Sequence, residues 1–394
     1  MIPYADFAYW GLLLYPALPT FVLAWGRRLR QVWILLVTLG MLAIQYAAEQ
    51  RFGSSTTVRE IWLVLGVGAF QYVLAAIFLV LRRRCRTRCL FWCAIGLALA
   101  PLVCSRTLPV VAPTYSVGFL GISYLTFRCL DVTIGIQDGL IGELSVPAYF
   151  AYIFFFPTIS AGPIDRYRRF LTDWKHSRAR REFIQDVDGA VHRIFTGLLY
   201  KFIIAELIRR YWVDPAANTA GPLSMISYMY AYSLYLFFDF AGYTAFAVGV
   251  GYLFGIHTPE NFQRPFLARD IRDFWNRWHI SLSWWFRDHV YMRFVMAATR
   301  GHWFGDRYIA SYLGFCLSMG LMGLWHGFAV QYIVYGLYHA LLLIGHDLFA
   351  RWNTGHKLWR DTLAWRVVGV ALTSQVVCFG FLIFSGHLNV TWLQ

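Results

Sequence analysis

The sequence predicts an all-α polytopic membrane protein, and three observations carry that prediction. Hydrophobic residues fill 58% of the 394 positions and charged residues only 14%, against about 25% charge in a soluble domain. Mean hydropathy is +0.49, so the chain cannot cover its apolar surface in water. Apolar runs approaching the length of a bilayer crossing recur from one end to the other.

Taken in order, the apolar segments are Phe7–Trp25, Val32–Ala48, Ile61–Leu81, Leu90–Cys104, Pro113–Cys129 and Val146–Ile159, then Val191–Ile208, Leu223–Phe254, Ile309–Leu324, Phe328–Gly345 and Val367–Phe384. The first runs straight into Arg27, Arg28 and Arg30, and the third into the basic stretch Arg82–Arg88. Several fall short of the roughly 20 residues that a straight crossing needs. Those carrying Pro101, Pro113, Pro157 or Gly162-Pro163 read as re-entrant or broken helices, tolerated where protein or a cavity lines the backbone. The expectation is a bundle of about 11 spans in a single domain covering 1–394. No tandem repeat is visible.

The net charge of +14 comes from 32 Arg and 3 Lys. In a soluble chain such a balance would point to nucleic acid. Here the arginines flank spans, so membrane topology is the simpler reading and no nucleic acid is expected. The strong preference for Arg over Lys hints at a GC-rich genome. The basic loops, including 165–182 and 264–307, are expected in the cytoplasm, which puts the N-terminus outside. No cleavable signal peptide is expected, because no basic stretch precedes the first apolar run. The seven cysteines (Cys85, Cys89, Cys93, Cys104, Cys129, Cys316 and Cys378) show no zinc spacing. Cys85, Cys89 and Cys93 share one helical face and read as packing, so no metal is expected.

Two histidines draw the chemistry. His279 lies in Phe274–Tyr291, a run of aromatic and charged residues, and His326 in Leu324-Trp325-His326-Gly327. Read as one helix over Ile271–Tyr291, the segment puts Arg272, Asn276, His279, Ser283 and Arg287 on one stripe, and Phe274, Trp278, Leu282 and Trp285 on another. That is an amphipathic helix suited to the cytoplasmic interface. A stripe that merely faces water would look the same. His326 sits inside Tyr308–Gly345, which lacks any Asp, Glu, Lys or Arg for 38 residues, about 57 Å if helical throughout. The run must therefore fold back or break, with Gly323 and Gly327 bracketing the histidine. Apolar surroundings favour neutral imidazole, the form a general base requires, and ionisable groups inside a membrane are functional candidates by default. Asp239 is the only charged residue between Leu223 and Leu253. It needs a partner, either a histidine to orient or a cation that locks two helices. There is no nucleophile elbow, P-loop or HExxH motif.

At these residues the sequence resembles the membrane-bound O-acyltransferase (MBOAT) family. The matching blocks are Gly162-Pro-Ile-Asp-Arg-Tyr-Arg-Arg-Phe170, Phe238-Asp-Phe-Ala-Gly-Tyr243, Pro259-Glu-Asn-Phe262, the Phe274–Tyr291 run and Met322-Gly-Leu-Trp-His-Gly327, with Ile2-Pro-Tyr4 at the start. They lie mainly between about 160 and 345. Within the family the chain most resembles the DltB-like branch of teichoic acid D-alanylation. After Arg287-Asp-x-x-Tyr291 it continues Met292-Arg293-Phe294, where the alginate-acetylating branch carries a Pro-Leu-Gly-Gly-like sequence. The resemblance implies a bacterial cytoplasmic (inner) membrane acyltransferase with His326 as catalytic base and His279 as its second histidine. It implies no bound cofactor, and a D-alanyl thioester donor on the phosphopantetheine of a small acidic acyl carrier protein (DltC-like). An extracellular acyl-transfer partner (DltD-like) or a small membrane peptide, and membrane lipids, complete the expected partners.

On this reading Asn276, Ser283, Asp239 and Trp325 are candidates for orienting the donor. Trp285, Val290, Arg293, Phe294 and Val295 are candidates for docking the carrier. Two alternatives stay open on sequence alone: an O-acetyltransferase of an exported polysaccharide, and a transporter or channel. The absence of an inverted repeat weighs against the last.

Overall fold

The structure is a computed structural model and describes residue 4 and residues 7–23, 27–47, 57–85, 87–111, 118–359 and 361–388. Ile2, Pro3, Trp25, Ala48, Arg86 and Pro113, on which parts of the reading above rest, lie outside them. In chain order the helices are α1 (Phe7–Leu23), α2 (Arg27–Ala47), α3 (Thr57–Arg84), α4 (Arg88–Val111), α5 (Ile122–Gln137), α6 (Val146–Ile153), α7 (Tyr167–Lys175) and α8 (Arg180–Leu198). Two short pieces follow, α9 (Glu206–Ile208) and α10 (Asp214–Ala217), and then the long α11 (Pro222–Leu253). The remainder are α12 (Ile271–Trp275), α13 (Ile280–Phe286), α14 (Met292–Arg300), α15 (Arg307–His326), α16 (Val330–His356) and α17 (Leu363–Ser385). Leu199–Ala205, Arg209–Val213 and Arg287–Tyr291 are wound as π-helix.

The fold is all-α. Among the described residues no strand forms, and the only bridge pairs Phe262 with Trp278. Each of the eleven apolar segments falls at least in part on a helix. Six helical stretches among the described residues are long and apolar enough to cross a membrane: Glu60–Arg84, Arg88–Pro109, Pro222–Leu253, Tyr308–His326, Val330–His356 and Leu363–Ser385. Arg30–Tyr46 and Val146–Thr158 are apolar but shorter.

The chain divides into two compact units, Met1–Thr196 with Tyr243–Pro259, and Gly197–Gly242 with Glu260–Gln394. The first is organised by buried arginines that terminate helices. Arg128 on α5 is 1% exposed. It donates to the carbonyls of Tyr152 and Ile153 at the end of α6, at 3.0 and 3.1 Å, and to the Thr158 hydroxyl. Arg30 does the same for α7. Its Nη2 reaches the carbonyls of Asp173, Trp174 and His176 at 2.8, 3.1 and 2.9 Å. The last carbonyls of a helix have no partner within it, and a guanidinium is the side chain best able to serve several at once.

Much of the Gly162–Phe170 block belongs to this scaffold. Asp131 on α5 accepts from the backbone N–H of Tyr167 at 2.9 Å, capping α7, and pairs with Arg166 at 2.9 Å. Asp165 and Asp173 both pair with Arg169. Asp186 pairs with the buried Arg178 and accepts from His257 at 2.6 Å. Arginines 30 and 178, expected as topology signals, are thus also internal fasteners.

The second unit is built on the pair α15 and α16. The uncharged run from Tyr308 folds back after His326, with Gly327, Phe328 and Ala329 as the connection. The two helices approach closely at two glycines: a Cβ on Gly323 would strike the Tyr332 carbonyl, and one on Gly336 the Met319 carbonyl. Asp306 starts α15 by accepting from the Tyr308 N–H at 2.8 Å.

Arg128→Lys should lower the thermal unfolding midpoint of the protein in detergent. An ammonium has three donors on one nitrogen and cannot span acceptors that two separate guanidinium nitrogens serve, and each buried acceptor left unmet costs about 1–3 kcal/mol. Thr158→Ala, which removes one acceptor and leaves both carbonyls served, should cost less in the same measurement.

Candidate active site

The continuous helix expected over Ile271–Tyr291 does not form. Helix α12 ends at Trp275, α13 begins at Ile280, and His279 between them takes φ 42° and ψ 50°. That left-handed conformation is uncommon for any residue with a Cβ. The break is imposed by residues some twenty positions earlier. The Ile280 N–H donates to the Asn261 carbonyl at 3.0 Å and the Gln263 N–H to the Arg277 carbonyl at 3.0 Å. The Asn261 side-chain oxygen accepts from the Ser281 N–H at 3.2 Å and from its hydroxyl at 2.6 Å. Asn261 is fully buried. The Pro259–Phe262 block therefore acts as a brace that holds the turn carrying His279.

The turn rotates His279 inward and dissolves the polar stripe. His279 is 4% exposed, among the buried residues of this unit. Burial, and then the neighbouring His326, push its imidazole down to about 3, so it is neutral at pH 7. Its Nδ1 has no hydrogen-bond partner among the described residues. Phe240 stands edge-on to the ring at 4.8 Å. Asn276 instead caps α12 and points to the surface. Arg272 pairs with Asp347 at 2.6 Å, and Arg287 with Asp288 at 2.9 Å while lying over Trp284.

His326 is the last residue of α15, which places it at the hairpin connection. Its ring is ringed by Trp325 at 4.6 Å, Phe384 at 4.9 Å, Tyr332 at 6.0 Å and Tyr335 at 6.5 Å. Both histidines line one cavity of about 60 Å³. The other walls are Leu236, Phe240, Trp275, Trp278, Leu282, Met322, Tyr335, Phe381 and Phe384. No acidic, Lys or Arg side chain lines it. Two imidazoles in an otherwise apolar, aromatic cavity can move a proton and orient a carbonyl. Among the described residues no group of three or more His, Cys, Asp or Glu could hold a metal.

The remaining sequence candidates are scattered. Asp239 pairs with Lys201 and so orients no histidine. Its neighbour Phe240 reaches the cavity instead. Ser283 donates to the Trp278 carbonyl at 3.1 Å. Trp325 touches both imidazoles, lying 6.4 Å from His279, but it is not a cavity wall. Trp285, expected to dock a partner, is buried at 4% exposure and packs on Phe286 and His289. Val290, Arg293, Phe294 and Val295 are half-buried. The exposed apolar residues of this region are Trp284, Met292, Met296 and Trp303. Sequence reasoning missed these, and it missed Asn261 and Tyr335. The asparagine of the Pro259–Phe262 block, a short motif ahead of an aromatic run, was the one available signal.

The family model described as MBOAT, membrane-bound O-acyltransferase family, matches residues 68–384. The chain is 41% identical to a teichoic acid D-alanyltransferase of Bacillus subtilis (strain 168), over 98% of either chain. It is 38% identical to a teichoic acid D-alanyltransferase of Lacticaseibacillus rhamnosus, over 84% of this chain and 85% of that one. It is 28% identical to a probable alginate O-acetylase of Pseudomonas aeruginosa, over 94% of this chain and 66% of that one.

If the brace sets the turn, Asn261→Ala should destabilise the protein by about 1–3 kcal/mol, the cost of leaving the buried Ser281 donors unmet. Ser281→Ala should cost less, because it removes a donor together with its need. Unfolding midpoints of the two variants in detergent make the comparison.

Proposed function

The chain belongs to the membrane-bound O-acyltransferase family and is a multi-pass membrane acyltransferase, and from that premise we propose that it is a D-alanyltransferase of an exported, teichoic-acid-like envelope molecule. The observation that carries the reading is the pair His279 and His326 lining one small aromatic cavity. The relatives favour D-alanyl over acetyl: the alginate O-acetylase is matched at lower identity and over a smaller share of its length.

In this reading the donor is a thioester on the phosphopantetheine arm of an acidic carrier protein, and the acceptor is a hydroxyl. His326 takes the hydroxyl proton as the oxygen attacks the thioester carbonyl. The tetrahedral intermediate collapses, an ester forms, and the departing sulfur receives the proton from the imidazolium. His279, neutral and buried, orients the carbonyl or donates to its developing negative charge. The small apolar cavity keeps out bulk water, which would otherwise hydrolyse the thioester. The protein sits in the bacterial inner membrane with its basic loops in the cytoplasm and its N-terminus outside. Carrier and acceptor then approach from opposite sides.

His326→Ala should abolish transfer of labelled D-alanine from the loaded carrier while membrane yield stays near wild type. A general base contributes about 10²–10⁴-fold, so a variant keeping more than about a tenth of the wild-type rate would refute the assignment. His279→Ala should lower the rate without releasing the carrier.

The carrier is proposed to dock near α14, where Met292 and Met296 are exposed. Charge reversal at Arg287 should slow association and lose its effect as salt rises. Met296→Asp should weaken the complex at every ionic strength. Titration of the purified protein with carrier at low and high salt distinguishes these outcomes. Indifference to both substitutions would move the docking surface elsewhere.

A further inference from the structure

We propose that His339 is a positioning residue that fixes the Trp275 wall of the reaction cavity through a water-bridged hydrogen bond between the two buried rings. The proposal rests on reading that cavity as the site of acyl transfer. His339 lies on α16, fully buried, and neither ring nitrogen has a hydrogen-bond partner among the described residues. The same is true of the indole nitrogen of Trp275. The two rings meet edge to face, with centroids 5.1 Å apart and planes at 80°.

An imidazole at this position is expensive. Each buried polar group left unmet carries its full desolvation penalty, and an apolar ring of the same shape would avoid it. The neighbours are arranged to admit it nonetheless. Gly380 on α17 faces the ring, and a Cβ there would lie 2.7 Å from its Nε2. Tyr335, one turn earlier on α16, packs against it at 4.6 Å, and Phe274 stacks at 6.4 Å.

The donor inventory shows how the need is met. A neutral imidazole has one donor and one acceptor nitrogen, and an indole has only a donor. The two rings make no direct hydrogen bond, so the Trp275 N–H serves the imidazole acceptor through one bridging water of the kind that satisfies buried polar groups. Trp275 and Tyr335 line the cavity with both catalytic candidates, whereas His339 does not. His339 thus acts through the wall that it holds, and it touches no reacting atom.

The test uses the full-length protein in lipid nanodiscs, with the D-alanyl-loaded carrier as donor. His339→Phe keeps an aromatic ring and should still fold, its unfolding midpoint a little below wild type because the buried Trp275 N–H loses its acceptor. Its kcat should fall at least tenfold with KM for the carrier unchanged, and His339→Asn should recover most of that loss. Trp275→Phe, which removes the N–H, should show the same fall. The double variant should be no slower than either single, because the two groups act as one unit. Wild-type kcat in Trp275→Phe overturns the proposal even if His339→Phe fails to accumulate, and so do losses that multiply in the double variant. His326→Ala in the same assay keeps the premise separate: activity there would sink the reading of the cavity, whereas an inactive His326→Ala beside a fully active Trp275→Phe would sink only the role of His339.

Discussion

The hydrogen bonds from Ile280 and Ser281 to Asn261 are the contacts on which the candidate site depends. Without them the segment from Ile271 onward would follow its own amphipathic preference and continue as one helix. His279 would then lie on a polar stripe facing outward. Instead, two backbone bonds and one asparagine hold a non-glycine residue in the left-handed region, a conformation that costs of order 1–3 kcal/mol. The return is placement: the imidazole turns into the same cavity as His326, which arrives from a different pair of helices.

The cavity's chemistry follows from what does not line it. With no carboxylate, ammonium or guanidinium among its walls, nothing fixed there competes with charge that develops during a reaction. Any charge that forms there is little screened where water is scarce, so donors already in place act strongly. The same walls of Trp, Tyr and Phe limit what can enter. Size and desolvation, more than specific polar contacts, then govern what the cavity admits.

Periodicity and charge exposed much of the fold in the sequence. The apolar segments mark the helices because each must bury or immerse a long uncharged stretch, and the 38-residue run announced a fold-back that Gly327 and Ala329 supply. His279 and His326 stood out by composition alone. What stayed hidden was set by contacts distant in sequence. The break at His279 is invisible locally, because the apolar period continues through it and the force that breaks it comes from Asn261. Asp239 clearly needed a partner, yet only packing chose Lys201 over a histidine. Trp285 looked like a surface anchor because helical spacing gave no sign that the chain kinks at 276–279. The cavity walls come from α11, α12, α13, α15, α16 and α17, a convergence that no single window of sequence records.

The arginines of the first unit bear on how such a chain can drift over evolutionary time. The preference for Arg over Lys resembles a by-product of genome composition, and at exposed positions such as Arg84 and Arg88 a lineage with AT-rich codons could exchange one for the other at little cost. Arg30 and Arg128 belong to a different category. Each spreads donors over several carbonyls at once, which an ammonium on a flexible stem cannot reproduce. At these two positions the codon is constrained by geometry, and mutational bias acting on the rest of the gene would have to pass around them.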